Sequence, residues 1–513
     1  MFPMPPMRML TKLVLDLDVY NNDESCPYYL PSCRNPKATL AHICWIMDCN
    51  PNLMDVILFH LFIKDQRDIR LLSKSIYGLK KLQSLHVEAS RRLDWMSVQW
   101  TSDLFFSCST TVQYLGLDAS YVDESWRSSF ADEYLYTPSG DRESWERSDE
   151  ECGLAESFTQ QESYTQLTKL WFWDAGDEPV TVEKFRSMLA RCPNLTEITL
   201  PTITGIEDAQ CLAENIIQFC PKLSSIEYRD WNQNSVVCDV IARTLAALPE
   251  EHVRKFSCRA DLPFDIHGLV DARPIFQRQS STLCDVYLDG WSNIDSKTIQ
   301  VILVECGTLE RLSVGCTSES LCINLEDSIL FPWGCTRIQQ LELNTAIPDQ
   351  PLRRPPADTV PYYNRPPPTT LSATEEQQLS NLEALYKQIG ALTEMQWLNL
   401  RAFFIDSNGD ASVFWSDNTF PGMLNLRCQK TGRPGYLHHL SGLSKLQRLE
   451  GSVSAEMEET KVTIGMDEVV WMERHWPALQ GATFFRNLRG QEPPEAFRWW
   501  KEQRLGRSFD IGV

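Results

Sequence analysis

Apolar residues recur along this chain in one short phrase. CPNLTEITL (192–200) returns as CPKLSSIEY (220–228), CGTLERLSV (306–314) and CTRIQQLEL (335–343). Each phrase places apolar side chains at positions 1, 4 and 6, the pattern L-x-x-L-x-L. The phrase begins at Leu10, Leu53, Leu82, Val112, Leu167, Leu195, Leu223, Val253, Leu283, Leu309, Ile338, Met395, Met423, Leu446 and Leu479. Alternation across positions 3 to 7 is the period of a strand buried on one face.

The residues ahead of each strand carry a second period. Ten, seven, six and three residues before Leu195 stand Phe185, Met188, Leu189 and Cys192. The same offsets give Ile299, Ile302, Leu303 and Cys306 before Leu309, Ala213, Ile216, Ile217 and Cys220 before Leu223, and Leu72, Ser75, Ile76 and Leu79 before Leu82. Spacings of three and four put these residues on one stripe of a helix. Thr181 and Ser296 are expected to cap two of the helices. Most intervals between successive strand starts are 26 to 30 residues, the long end of the leucine-rich-repeat range. The expected fold is therefore α/β: a leucine-rich-repeat solenoid of the ribonuclease-inhibitor-like horseshoe type, with a parallel sheet on the concave face and helices outside.

Two intervals are about twice the period, and they divide the chain. Repeats occupy 1–119, 166–345 and 376–513. Residues 120–165 hold twelve acids, three bases and many serines. That composition predicts a disordered insertion, either a solvated loop or a partner-binding or phosphorylated acidic arm. Residues 346–375 carry eight prolines between Pro348 and Pro368, which predicts an extended excursion, either a plain linker or a ligand for an aromatic groove. Near the C-terminus a helix opening at Pro494 should contain Phe497, Trp499, Trp500 and Leu505, with Lys501, Glu502 and Arg504 on its polar outer face. A strand already stands at Leu10, and Met1–Met9 contains three prolines. The first strand edge is thus expected to need a covering module from upstream or from a partner.

Strand positions 3, 5 and 7 should face the concave side. They carry Tyr114, Lys169, Trp171, Trp173, Glu227, Arg229, Asp285, Tyr287, Asp289, Trp397 and Arg401, together with Glu342 and Asn344. Aromatic rings beside Arg and Asp are the residue types of interface hot spots, so these are the candidate partner-binding residues.

Charge and composition narrow the chemistry. The chain has 48 Lys plus Arg against 69 Asp plus Glu, a net charge of −21. Nucleic acid and anionic membranes are not the expected partners. Seventeen cysteines without C-x-x-C spacing fit reduced thiols of the cytoplasm or nucleus. Cys192, Cys220, Cys306 and Cys335 each stand three residues before a strand start, where a small apolar side chain fits the helix-to-strand junction. The chain has no G-x-S-x-G, no H-E-x-x-H and no Gly-rich phosphate loop. His438-His439 falls at helix positions of its repeat. The expectation is a protein-recognition scaffold, not an enzyme, with no cofactor or metal; a leucine-rich-repeat GTPase activator is the alternative.

The units D-x-x-T-I-x-x-I-L-x-x-C-x-x-L-x-x-L-x-V (Asp295 to Val314) and M-L-x-x-C-P-N-L-x-x-I-x-L (Met188 to Leu200) resemble the cysteine-containing repeats of F-box/leucine-rich-repeat proteins. The irregular periods, the two insertions and the Trp-x-Cys-x-x-Ile junction at Trp333 to Ile338 resemble fungal members in particular. The resemblance implies substrate recognition for a cullin-RING ubiquitin ligase, whose adaptor would dock to an F-box ahead of the repeats. In this chain a repeat strand occupies the place of that module.

Overall fold

The computed structural model describes residues 10–16, 36–63, 66–91, 99–121, 163–174, 182–200, 206–230, 235–260, 271–289, 294–315, 321–348, 373–405, 411–412, 426–427, 434–451, 457–458, 461–462, 465–482, 495–504 and 510–511. They fall into two compact units, Met1–Leu248 and Pro249–Val513.

In the first unit seven strands pair in chain order, all parallel: β1 (Lys12–Asp16), β2 (Asp55–Phe62), β3 (Ser84–Arg91), β4 (Tyr114–Tyr121), β5 (Lys169–Asp174), β6 (Glu197–Leu200) and β7 (Ser225–Asp230). Among the described residues six helices accompany them: α1 (Pro36–Cys49), α2 (Gln66–Gly78), α3 (Gln99–Ser107), α4 (Val182–Leu189), α5 (Ile206–Phe219) and α6 (Ser235–Ala247). The repeats are in phase. Position 3 of each strand faces position 3 of the next, so Lys12, Asp55, Ser84, Tyr114, Lys169, Glu197 and Ser225 form one row. The amides of positions 2 and 3 share the position-2 carbonyl of the previous strand. Gln83 N and Ser84 N donate to Met54 O at 2.7 and 2.9 Å, and Gln113 N and Tyr114 N to Gln83 O at 2.7 and 3.1 Å.

The second unit repeats the pattern. Its parallel series runs β8 (Lys255–Ala260), β9 (Asp285–Asp289), β10 (Arg311–Val314), β12 (Gln340–Pro348), β13 (Trp397–Ile405), β15 (Arg448–Gly451), β18 (Gly481–Ala482) and β19 (Asp510–Ile511). Short strands flank it: β11 (Ile323–Asn324) beside β12, β14 (Ala411–Ser412) antiparallel to β13, and the pair β16 (Met457–Glu458) and β17 (Lys461–Val462). The helices are α7 (Arg273–Gln279), α8 (Ser296–Glu305), α9 (Leu325–Ile329), α10 (Ala373–Gly390), α11 (Met466–His475) and α12 (Glu495–Gln503), with a 3-10 helix at Leu437–Gly442 that carries His438 and His439.

The helical stripes meet the sheet as their spacing requires. In α2, Ile69, Leu72, Ser73, Ser75 and Ile76 are buried; in α8, Ile299, Ile302 and Leu303 are. Ring contacts join the layers: Phe172 of β5 meets Phe185 of α4 at 6.1 Å, and Phe256 of β8 meets Phe276 of α7 at 6.3 Å. Strand positions 4 and 6 therefore face the helices.

The junction three residues before each strand start is buried in most of the described repeats, with Ser109, Glu250 and Ser280 the exceptions. Asn50, Leu79, Tyr164, Cys192, Cys220, Cys306, Cys335, Leu392, Leu443 and Trp476 fill it. Its polar fillers bond to local carbonyls. Tyr164 donates to Phe105 O at 2.8 Å and Trp476 Nε1 to Leu440 O at 3.1 Å; Cys220 Sγ donates to Cys192 O at 3.4 Å. Burial pushes the thiols of Cys220, Cys306 and Cys335 up to about 12, and that of Cys192 further still. Such thiols are inert packing groups.

Several expectations are corrected. β13 pairs with β12 on one side and directly with β15 on the other, so no repeat strand through Met423 stands between them. Met423 itself lies outside the described residues. Of its four upstream stripe positions Val413 and Phe420 are apolar, but the central pair, Ser416 and Asp417, is polar. The cap of α8 is Asp295, accepting from Thr298 N at 2.7 Å, and Ser296 is the first helical residue. Thr181 lies outside the described residues. Ile217 is 39% exposed, because Ala209, Leu212, Ala213 and Ile216 complete the stripe of α5 without it.

Arg504 is not on an outer face. It is 2% exposed, and its guanidinium donates to Glu473 Oε2 at 2.6 Å, to Trp476 O at 3.0 Å and to Leu479 O. The helix α12 is followed by a further strand, β19, rather than ending the array. The acidic stretch 122–162 and the proline-rich stretch 349–372 lie outside the described residues. β12 runs on through Ala346–Pro348, and α10 begins at Ala373.

Candidate interaction surface

With positions 4 and 6 against the helices, positions 3, 5 and 7 form the opposite, open face of each unit. On the first unit a bulge shapes that face. The register between β2 and β3 shifts between Leu58 and Leu61, and His60 takes φ 54. The extra length brings His60 Nε2 to 3.6 Å from Glu88 and sets Phe59 against His86, ring centroids 5.4 Å apart.

Gly116 then makes a ring cluster possible. In the register it lies between His86 of β3 and Trp171 of β5. A Cβ there would sit 2.4 Å from His86 Nδ1 and 2.7 Å from the Tyr114 hydroxyl. Without one, His86 stacks on Tyr114 at 6.3 Å, contacts Trp171 at 5.5 Å, and places Nδ1 3.2 Å from the Tyr114 hydroxyl. Phe59, Tyr114 and Trp171 stay half-buried, while His86 is covered. Burial lowers the pKa of His86, against the opposing pull of Glu88, which favours the uncharged ring.

The other expected residues of this unit are placed as follows. Lys169 neighbours Tyr114 in the register and pairs with Glu197 at 2.9 Å. Glu227, on β7, is half-buried. Trp173 and Arg229 lie on β5 and β7 by backbone position; their side chains are outside the described set.

On the open face of the second unit charges alternate across the strands. Lys255, Asp285 and Arg311 are register neighbours, and Arg311 reaches Asp285 at 2.5 Å. Burial raises the pKa of Asp285, with Arg311 and Lys255 pulling it down. Arg259 lies over the Tyr287 ring, 4.3 Å from its centroid. Glu342 is 7% exposed and is met by Ser313 Oγ at 2.8 Å, Asn399 Nδ2 at 2.7 Å and Arg401 at 3.5 Å. Asn344 is buried, donating to Gly315 O at 2.7 Å and to Leu321 O at 3.1 Å. Tyr287, Trp397 and Arg401 are half-buried. Asp289, expected at the accessible surface, is only 4% exposed.

The expected residues thus fall on the open faces of both units. The first unit gathers Tyr114, Lys169 and Trp171; the second gathers Asp285 with Tyr287, and Arg401 with Glu342. Sequence reasoning missed Phe59, His60, His86 and Gly116. A glycine at an open-face strand position two residues after Tyr114 was the available signal. Among the described residues there is no group of three or more His, Cys, Asp or Glu arranged to hold a metal ion, and no helix is long and apolar enough to cross a membrane.

Sequential parallel strands, outer helical stripes and an invariant phase define the class: an α/β leucine-rich-repeat protein. No protein-family model matches the chain, and no curated protein does. Among solved structures it is similar to the leucine-rich repeat-containing protein LegL7 from Legionella pneumophila, with 11% identity, 79% of this chain and 86% of that chain covered, and a TM-score of 0.30. The class assignment rests on the strand registers and not on that likeness.

Proposed function

We propose that the protein is a non-enzymatic scaffold that recognises another protein through its open strand faces. The observation that carries this reading is the cluster of Phe59, His86, Tyr114 and Trp171 around Gly116. A strand face needs only polar side chains to stay hydrated. Here it presents half-exposed rings edged by Lys169, Glu197 and Glu88, the composition of an interface centre with a polar rim. The likeness of Met188–Leu200 and Asp295–Val314 to repeats of F-box/leucine-rich-repeat proteins supports a finer reading, substrate recognition for a cullin-RING ubiquitin ligase in the cytoplasm or nucleus.

Site-specific photo-cross-linking tests the proposal. A cross-linker at exposed Lys169 should capture a defined protein partner, whereas one at Lys297 on α8 should not. Truncating an interface anchor costs about 2 kcal/mol or more, so Trp171→Ala should abolish capture. Trp45→Ala, at a 47% exposed position on α1, should retain it. Equal capture from both positions, or GTPase stimulation by the purified chain, would overturn the reading. Co-purification of a ligase adaptor decides the finer role.

A further inference from the structure

The open face of the second unit differs in electrical character from the chain as a whole. Three of its carboxylates lie low, while Glu450, beside Asn399 in the register, is half-buried. Glu342 takes Ser313, Asn399 and Arg401, Asp285 takes Arg311, and Asp289 is 4% exposed. The cations stand higher. Arg259 and Arg448 are exposed, and the side chain of Arg311 is 48% exposed against 26% for its partner Asp285.

These cations are spread across the face. Arg259 is on β8, Arg311 on β10 and Arg448 on β15. Half-buried rings lie among them: Tyr287 between the strands of Arg259 and Arg311, and Trp397 directly beside Arg448 in the register. Among the described residues Arg448 forms no ion pair. Each guanidinium has five N–H donors, and the side chain of Arg311 is 48% exposed while it contacts Asp285. A chain of net charge −21 therefore offers a surface where exposed arginines stand among aromatic rings, with Asp285 and Glu342 already paired to Arg311 and Arg401.

We propose that this face binds an acidic, extended segment of a partner protein, with glutamate or aspartate side chains meeting Arg259, Arg311 and Arg448 and apolar side chains resting on Tyr287 and Trp397. The inference rests on the reading of the open faces as protein-recognition surfaces, and adds the chemistry of the partner. Parallel strands spaced across the unit suit an extended ligand with repeated carboxylates, and planar guanidinium groups match carboxylate geometry.

The test is fluorescence anisotropy of the full chain with a labelled alternating Glu-Gly peptide, a Lys-Gly peptide and a single-stranded RNA oligonucleotide. The Glu-Gly peptide should bind saturably despite the net negative charge of both molecules, and binding should weaken as salt rises. Arg311→Gln with Arg448→Gln should weaken it roughly tenfold, about 1.4 kcal/mol, and Arg259→Gln with Arg448→Gln likewise. The second pair leaves the Asp285 contact intact, so loss of folding in the first does not hide the result. Lys297→Gln with Lys387→Gln removes the same charge from the helices and should change nothing. Failure of the Glu-Gly peptide to bind, equal loss in the helix control, or preference for RNA would each overturn the proposal. If Trp171→Ala still abolishes partner capture in that case, the recognition reading stands and only the acidic-partner inference falls.

Discussion

Arg504 is the sharpest test of how the end of the second unit is held. Its side chain is 1% exposed, and it bonds Glu473 Oε2 at 2.6 Å, Trp476 O at 3.0 Å and Leu479 O. Glu473 in turn accepts from Trp500 Nε1 at 2.7 Å. One guanidinium therefore ties α12 to the C-terminal end of α11 and to the turn leading into β18. Arg504→Met keeps the length of the aliphatic stem and removes the charge and all three bonds. Breaking a buried ion pair by removing one partner costs about 3–5 kcal/mol. Glu473 is 31% exposed and keeps its bond from Trp500, so the remaining carboxylate stays partly hydrated. The two carbonyls lose charge-assisted donors but are weaker acceptors. The expected loss is thus at the lower end, about 3 kcal/mol. With two compact units a single melting temperature mixes separate events, so amide hydrogen exchange is the suitable assay. Exchange over 495–503 and at Gly481–Ala482 should quicken by roughly two powers of ten, while α2 and β3 stay unchanged. An effect below about 0.5 kcal/mol would show that the arginine is a bystander in a cavity already stabilised by Trp500.

Three further outcomes follow from the sites described. Gly116→Ala should push His86 and Tyr114 apart and cost about 1–3 kcal/mol in denaturant unfolding, the usual range for overpacking; a neutral result would mean that the rings move freely. The junction thiols are held neutral by the fold, with Cys220, Cys306 and Cys335 pushed from 9.0 up to about 12. Because a folded pKa above the unfolded one favours the protonated form, their contribution is complete below about pH 9 and is lost as pH rises toward about 12. Stability should therefore fall progressively above pH 9, and alkylation at neutral pH should reach half-exposed Cys284 well before Cys220 or Cys306. Labelling of all three at one rate would contradict their burial.

The repeat phase was legible because each unit states it twice, once as a strand and once as a helical stripe. Leu195, Leu223 and Leu309 satisfied both periods, and their strands lie where expected. Met423 satisfied the strand pattern but only half of the helical stripe, with Ser416 and Asp417 at its centre, and its strand is not in the ladder. Arg504 misled because a charged residue near the end of a helix reads as solvent-facing. Its burial depends on Glu473 and on the carbonyls of Trp476 and Leu479, which come from other elements. The candidate site was legible as a row of residue types but not as a cluster. Alternation marks Tyr114 and Trp171 as open-face residues. It cannot show that a bulge at Phe59–His60 and a missing Cβ at Gly116 let four rings converge.

β4 and β5 pair residue for residue, Tyr114 opposite Lys169, although 55 positions separate them. The returning chain is pinned by Tyr164, whose hydroxyl reaches Phe105 O. Doubling the length of chain between two paired strands raises the entropy of closure by only about 0.6 kcal/mol, less than a buried tyrosine hydrogen bond contributes. Such a join is a splice point: new sequence can be acquired, lengthened or exchanged there while the ladder on either side keeps its phase. Natural variation in length should then collect between Tyr121 and Ser163, and a reporter domain spliced into that interval should leave both neighbouring strands paired as they are.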